Sequence, residues 1–407
     1  MIFSISWKNI WRNKLRSSII IIAIAIGLFG GIFSIAMMNG MAEQRLRAGI
    51  QTQTSSIQIH NPNFLKNKKL IFSINNSDSI INIIKQNFLV KAVCKRTVVS
   101  AMASTAETGT GIIINGINPE QEINVTSISK KLSTGNYFTK HKKYSILISE
   151  KLAEKLKVKV RSKIVITSQN NKGDLIGGAF RVIGVFKTSD SFFDETNVFV
   201  LNNDLNKLVY DSPKNYKAHE IAILLSNDDN TQQLSQDLKS KFSDLSVQAW
   251  YNIQPDLKMM STLMESVSYL ILIVILLALT FAIINTMLMA VFERIHEFGM
   301  LIAIGMSKKK VFKMVMCETI LLSIIGAVLG TLISTIIIYI FNIYGIDLSI
   351  VSKGLESFGI DSYIYPEIKS SFYLSISIMV IITAILASIY PAKKALSSKP
   401  IDALRIE

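Results

Sequence analysis

Residues Glu293–Val311 read ERIHEFGMLIAIGMSKKKV, the only well-charged, helix-patterned stretch between two long apolar segments. Glu293, Arg294, Glu297 and Lys308–Lys310 do not belong in hydrocarbon, where an ionised side chain at the bilayer centre costs on the order of 3 kcal/mol or more. On a 3.6-residue period Phe292, Ile295, Phe298 (or Gly299) and Ile302 form an apolar stripe, with Glu293, Arg294, His296 and Glu297 on the other side. Gly305 suits a left-handed helix stop, and Ser307 suits the N-cap of the next helix, which Lys308–Lys310 begin. A short rigid helix of this kind, tied to a span at each end, passes on a push as a rigid-body movement.

On either side the sequence turns apolar. Windows of at least about 18 nearly uncharged residues, enough to cross about 30 Å of hydrocarbon, fall at Ser18–Met38, Val267–Phe292, Val315–Phe341 and Phe372–Tyr390. A hydrophobic share of 49% against a charged share of 18% places the chain with membrane proteins. The fold class expected is a membrane protein with four transmembrane α-helices, one plus three, around a large α+β extracytoplasmic domain. That polar region of about 225 residues is long enough for a core of its own.

The division expected is 1–16 for an amphipathic cytoplasmic N-terminal helix, 17–39 for the first span and 40–266 for the outer domain. The second span follows at 267–292, the coupling segment at 293–312 and the third span at 313–341. An outer loop at 342–371, a fourth span at 372–390 and a cytoplasmic tail at 391–407 complete the chain.

The formal net charge of +15 would suggest nucleic acid in a soluble chain. Here much of the basic charge flanks the apolar spans: Lys8, Arg12, Lys14 and Arg16 before the first, Arg294 and Lys308–Lys310 between the second and third, and Lys393, Lys394, Lys399 and Arg405 after the fourth. The bias in short loops puts both termini and the coupling segment in the cytoplasm, in contact with membrane lipids and not nucleic acid. The run from Ser6 to Arg16, with Trp7 and Trp11 among cations, reads as an interfacial helix leading into a retained span. A cleaved signal peptide would have a shorter apolar run and a clear small-residue cleavage site.

In the outer region Met41–Ile50 continues the first helix, and Asp256–Val267 leads back into the second span. Between them, alternating strands at Ser55–His60, Ala92–Ser100 and Gly111–Asn115 mix with the amphipathic helix Leu147–Leu156 and a hairpin across Asn170–Gly173. The pattern predicts a mixed domain of two small subdomains. Cys94 and Cys317 lie on opposite sides of the membrane and do not form a disulfide framework, and the four histidines are scattered. No metal-ligand set, nucleophile–base arrangement or catalytic carboxylate pair stands out, so the chain reads as a non-catalytic subunit.

Two polar residues fall inside the spans. Asn285 is expected to bond across to another helix in preference to contacting a substrate. Glu318 is a functional charge, or it reaches the interface, or it pairs with Lys313. The spacing Gly326-x-x-x-Gly330 allows close helix approach, and Pro391 is expected to end the fourth span. No G-x-x-x-x-G-K-[ST] motif occurs, and the cytoplasmic segments are too short to fold as an ATPase. Energy is therefore expected from a separate polypeptide that binds the ATP, leaving this chain without a cofactor.

The pattern E-R-x-x-E-x-G-x-L-x-A-x-G, here Glu293, Arg294, Glu297, Gly299, Leu301, Ala303 and Gly305, resembles the coupling helix of FtsX/MacB-type ABC transporter permeases. The tail, with Pro391, Pro400, Leu404 and Arg405, resembles that family's P-A-x-x-A…P-x-x-A-L-R ending, and WKNIWRNKLR (Trp7–Arg16) resembles its N-terminal helix. The resemblance implies that Glu293, Arg294, Glu297, Phe298, Gly299, Ala303 and Gly305 couple to cytoplasmic ABC ATPase subunits. It further implies a second permease copy or paralogue, a MacB-type periplasmic core, mechanotransmission without a pore, and a place in the bacterial inner membrane.

Asn39-Gly40 and the helix after it are similar to lipoprotein-releasing permeases, which implies a lipoprotein or a periplasmic accessory protein as partner. Efflux of periplasmic substrates and regulation of cell-wall hydrolases are the alternatives within the family. Three positions depart from the pattern: Ile302 stands where a basic residue is common, Met306 where alanine is common, and Arg161 where the turn of Lys159–Ile164 usually has glycine.

Overall fold

The computed structural model describes residues 2–12, 14–138, 143–210, 217–351, 354–355 and 362–397. The chain divides into two compact units, one of 1–43, 262–348 and 363–407 and one of 44–261 and 349–362.

In the first unit lie helices long and apolar enough to cross a membrane, drawn from the runs Ser17–Thr54, Pro255–Glu293, Lys308–Tyr344 and Phe372–Lys394. The first three have 37 to 39 residues, or about 55 Å at 1.5 Å per residue, well beyond the hydrocarbon thickness. They outrun their apolar windows because amphipathic segments such as Met41–Ile50 and Asp256–Val267 are themselves good helix formers and continue the same hydrogen-bond ladder.

Ile24, Leu28 and Ile32 of the first helix, Leu279 and Ile283 of the second, Leu322 of the third and Val380 and Ala384 of the fourth share one core. Gly326 and Gly330 let the third helix press on the first. A Cβ at Gly326 would stand 2.8 Å from Ile24 Cβ, and one at Gly330 would stand 2.9 Å from the Ala25 carbonyl oxygen.

Two expectations fail here. Asn285 is exposed on the surface of the chain instead of bonding across the bundle; its neighbour two residues back, Ile283, is the one that points inward. Pro391 does not end the fourth span, since the helix Ser370–Ser397 runs through it. Proline removes one ladder bond, but Ala392 beyond it is fully buried and Leu396 packs on the same core, so packing holds the helix together. Pro400, Leu404 and Arg405 lie outside the described residues.

The second unit is built on a ten-stranded mixed sheet. Its strands are β1 (Ile57–His60), β2 (Val90–Ser104), β3 (Gly109–Ile117), β4 (Leu132–Gly135), β5 (Ser145–Ser149), β6 (Lys163–Gln169), β7 (Leu175–Phe186), β8 (Asn197–Leu201), β9 (Glu220–Leu225) and β10 (Ser246–Ala249). Their order is β10-β1-β9-β2-β3-β8-β5-β7-β4, with β6 pairing with both β2 and β7. The β3–β8 and β5–β7 pairs are parallel and the rest antiparallel.

Strand β2 joins two lobes. Its first half pairs with β9 over a core of Ile59, Ile84, Val93, Ile223 and Leu234. Its second half pairs with β3 and β6 over a core that includes Val99, Ile114, Ile166 and Phe180. The period-2 alternation of β6, with Ile164 and Ile166 buried and Lys163 and Val165 exposed, shows which face meets that core.

At the junction Arg96 is buried and fully engaged. It donates to Glu122 at 2.7 and 3.1 Å and to Glu220 at 2.6 Å, as a buried charge must. Cys94 is a free, buried thiol beside Glu122; burial pushes its pKa well up, so it behaves as a small core residue. Arg161, the departure from glycine, takes φ +80° in the turn before β6, a conformation that costs an L-residue about 1–2 kcal/mol.

Candidate functional site: the coupling helix

The coupling segment forms three pieces: the helix stops at Gly305 as expected, and the ladder also breaks at Arg294. The second membrane helix ends at Glu293, Arg294 breaks the ladder at φ −110° and ψ 16°, and a short helix runs Ile295–Ala303. Its end has both hydrogen bonds of a Schellman motif: the Met306 N–H donates to the Leu301 carbonyl at 2.9 Å and the Gly305 N–H to Ile302 at 3.0 Å. Gly305 sits at φ +98°, where a Cβ would be strained. Ser307 takes the N-cap position of the third helix in extended conformation, but its hydroxyl makes no capping bond.

The break at Arg294 resets the helical phase, so the apolar stripe is shorter than a single 3.6-residue period predicts. Phe298 and Gly299 are buried and Ile295 and Ile302 half-buried, but Phe292 is half exposed at the end of the preceding helix. Arg294 is the larger correction: expected on the open face with Glu297, it is buried. Its Nη1 donates to both carboxylate oxygens of Glu318, at 3.1 and 3.3 Å, and its Nε donates to Glu297 at 2.9 Å. Its guanidinium carbon also lies 5.4 Å from the centre of the Phe298 ring. Glu318 thus has a partner, and that partner is Arg294, not Lys313.

Glu297 is gripped from a second direction. Arg12, on the N-terminal helix Ile2–Arg12, donates from Nη2 to both of its oxygens, at 2.5 and 2.6 Å. Burial pushes the Glu297 carboxyl up, but hydrogen bonds from Arg12 and Arg294 outweigh it and leave its pKa lowered. The same hydrogen bond raises Arg12. The N-terminal helix is anchored further by Ile10 in the core and by the Ser6 hydroxyl, which donates to the Met314 carbonyl at 3.1 Å. Trp7 and Trp11 remain exposed in an edge-to-face pair, as interfacial residues would be.

A continuous chain of charge therefore runs Arg12–Glu297–Arg294–Glu318, joining the N-terminal helix, the coupling helix and the third span. Sequence reasoning singled out Glu297, Arg294 and Glu318 but put Arg294 on the wrong face and missed Arg12 and the pairing; the usable signal was a lone buried-depth carboxylate with an arginine on each adjoining segment. The surface left open carries Glu293, His296, Met300, Ala303 and Ile304, followed by Lys308–Lys310. It combines apolar area with positive charge. Among the described residues no group of three or more His, Cys, Asp or Glu side chains converges as metal ligands would.

The model of the FtsX-like permease C-terminal family matches residues 269–400, and that of the MacB-like periplasmic core domain matches residues 17–241. The chain belongs to the FtsX/MacB-type ABC transporter permeases. The core-domain match covers more than half of the chain, and the permease match takes in the coupling segment with the three C-terminal spans.

This FtsX/MacB-type permease is similar to the lipoprotein-releasing system transmembrane protein LolC of Buchnera aphidicola subsp. Schizaphis graminum, 27% identical over 93% of the chain and 91% of the relative. It is also similar to the macrolide export ATP-binding/permease protein MacB of Neisseria meningitidis serogroup A, 23% identical over 99% of the chain. The chain spans 60% of that relative's length. Among solved structures, the periplasmic region of MacB from Actinobacillus actinomycetemcomitans aligns with 53% of the chain and 97% of its own, at 16% identity and a TM-score of 0.36. Homologues of this permease are bacterial inner-membrane proteins, and the four apolar helices accord with that place.

Proposed function

We propose that the protein is the permease half of an ABC complex that releases lipoproteins from the inner membrane, driven by a separate cytoplasmic ATPase. In this reading both termini and Ile295–Ala303 are cytoplasmic, the strand-rich unit is outside, and a second permease copy or paralogue completes the complex. ATP-driven closure of the ATPase subunits pushes on Met300, Ala303 and Ile304, and the coupling helix carries the push into the spans and so to the outer domain.

The single observation that supports coupling is the shared carboxylate of Glu297. A helix tied at Glu297 to Arg12 and at Arg294 to the buried Glu318 is linked to both the N-terminal helix and the third span, which supports its carrying motion to them. The likeness to LolC, which runs along most of both chains, favours lipoprotein release. A second reading, export of a periplasmic substrate, draws on the MacB relatives, which match 99% of this chain.

Purification of the complex from native membranes tests both readings. ATP hydrolysis in a co-purifying subunit and release of a labelled lipoprotein to the soluble phase are the expected results. ATP-dependent export of a soluble substrate without lipoprotein release would replace the first reading with the second. Cysteines placed at Asn170 and Lys309 test the orientation: Asn170 is expected to label from outside and Lys309 only after permeabilisation.

A further inference from the structure

Within the second unit a cavity of about 510 Å³ opens where the start of β5, the turn before β6 and β7 meet. Lys143, Arg161 and Arg181 line it, with Tyr137, Val160 and Ile183. Strand pairing brings the three cations together. Strands β5 and β7 run parallel with Ser145 opposite Arg181, so Lys143, two residues ahead of β5, comes in on the side of Arg181. The turn before β6 is tied to β7 as well. The Arg161 N–H donates to the Val182 carbonyl at 2.8 Å, and the Val182 N–H donates to the Ser162 carbonyl at 3.0 Å.

Two features of this cavity are unfavourable as they stand. Three like charges converge, and no carboxylate stands among the lining residues. None of the three cations enters an ion pair or a side-chain hydrogen bond among the described residues. Asp204 feels the charge of Lys143, but it already accepts the Tyr144 N–H at 2.6 Å and does not line the cavity. The second feature is backbone strain: Arg161 is held at φ +80°, where glycine would be at ease. Repulsion and strain at one spot are both offset by a bound anion.

The donors narrow its class. Two guanidinium forks and an ammonium match the oxygens of a phosphate group, which as a monoester carries a charge of about −1.5 to −2 near neutral pH. The volume falls among small-molecule sites, typically about 300–1,000 Å³, and leaves room beyond a bare ion. Tyr137, Val160 and Ile183 supply a wall for the remainder, and the Tyr137 hydroxyl is buried without a hydrogen-bond partner among the described residues.

We infer that this cavity binds an organic phosphate, its oxygens accepting from Arg161, Arg181 and Lys143 and its carbon part lying along Tyr137, Val160 and Ile183. The ligand does not depend on which cargo the complex moves. A soluble sugar phosphate and a phospholipid headgroup offer the same phosphate chemistry.

The test uses the full chain in maltoside detergent, titrated calorimetrically with glucose 6-phosphate, dihexanoylphosphatidate, inorganic phosphate and glucose. Lysine acetylation read by mass spectrometry locates the binding. Glucose 6-phosphate or dihexanoylphosphatidate is expected to protect Lys143 but not the exposed Lys172 of the neighbouring hairpin turn, and glucose to protect neither. Whichever of the two organic phosphates displaces the other tells a soluble ligand from a headgroup. Arg181→Gln and Arg161→Gly are each expected to weaken binding at least tenfold, as loss of hydrogen bonds to a charged group does. Without ligand, Arg161→Gly should melt no lower than wild type, because it sheds both strain and repulsion.

Equal affinity for inorganic phosphate and the organic phosphates would leave an adventitious ion only and overturn the assignment. Protection of Lys143 by neither organic phosphate would overturn it too, and protection by polyglutamate alone would assign the cavity to an acidic protein partner instead. Affinity unchanged in both arginine variants, or a lower melting temperature of Arg161→Gly with binding intact, would make these arginines structural and remove the site.

Discussion

Arg294 and Glu318 form a buried, hydrogen-bonded ion pair, with about a tenth of each side chain exposed. Breaking such a pair from one side leaves an unmatched buried charge, at a cost of about 3–5 kcal/mol, whereas replacing both partners with apolar residues is often neutral. Arg294→Met is therefore expected to lower the melting temperature of the detergent-solubilised protein sharply. Arg294→Met combined with Glu318→Met is expected to recover most of the loss. If the double variant is no more stable than the single, the pair is not the reason.

Glu297 lies between two guanidinium groups, so its sign matters more than its size. Glu297→Lys would set a third cation against Arg12 and Arg294 and detach the coupling helix from the N-terminal helix. Stimulation of the partner ATPase should fall at least tenfold, with membrane insertion unchanged. Arg12→Ala is milder: the pair is 58% and 40% exposed, and exposed pairs contribute less than about 1 kcal/mol to stability. Its melting temperature should stay near wild type while coupling drops severalfold. Unaltered ATPase stimulation in Glu297→Lys would remove the coupling assignment.

The outer unit should lose stability in mild acid. The Nδ1 of His219 accepts from the Val98 N–H at 3.3 Å and its Nε2 lies 3.1 Å from the Leu70 carbonyl oxygen, which assigns the neutral Nε2–H tautomer. A second proton would set two donors against each other. Burial lowers His219 from its ordinary 6.5 to about 4, and burial also lowers His60.

The unfolded chain therefore binds protons first. The His219 contribution is full above pH 6.5 and is lost as pH falls toward 4, at up to about 1.4 kcal/mol per pH unit, and His60 acts in the same direction. Denaturant midpoints at pH 7.5 and 5 should differ accordingly, and His219→Asn should flatten the difference. A pH-independent midpoint in the wild type would contradict this account.

Close packing of the third helix on the first depends on the missing side chain at Gly330. A Cβ there would stand 2.9 Å from backbone oxygen, which cannot yield as a flexible side chain can. Gly330→Leu is expected to cost at least 1–3 kcal/mol through overpacking, read as a lower thermal midpoint. A midpoint equal to wild type would show that the two helices can separate freely.

Much of this was legible in the chain. The apolar windows betray four spans because hydrocarbon imposes length and composition together. The glycine at 305 and the spacing of Gly326 and Gly330 give away a helix stop and a close crossing. Arg12 was not legible: its partner lies 285 residues away, and nothing local marks it apart from other interfacial cations. Arg294 was misread because periodicity counts residues through a break in the ladder that only backbone torsions reveal. Asn285 and Pro391 misled for a related reason. Their chemistry suggests a bond or a stop, but neighbouring packing at Ile283 and Ala392 decides the outcome.

Strand β2 has a consequence for how the outer unit opens. Its 15 residues belong to both lobes, so neither lobe can shed its central strand without unravelling the other. Backbone amides of the two lobes should then exchange with deuterium as one cooperative block, with matching protection near Val93 and Val99. A distortion begun in one lobe is therefore handed to the other along a shared backbone, and the two lobes respond as a single stiff body.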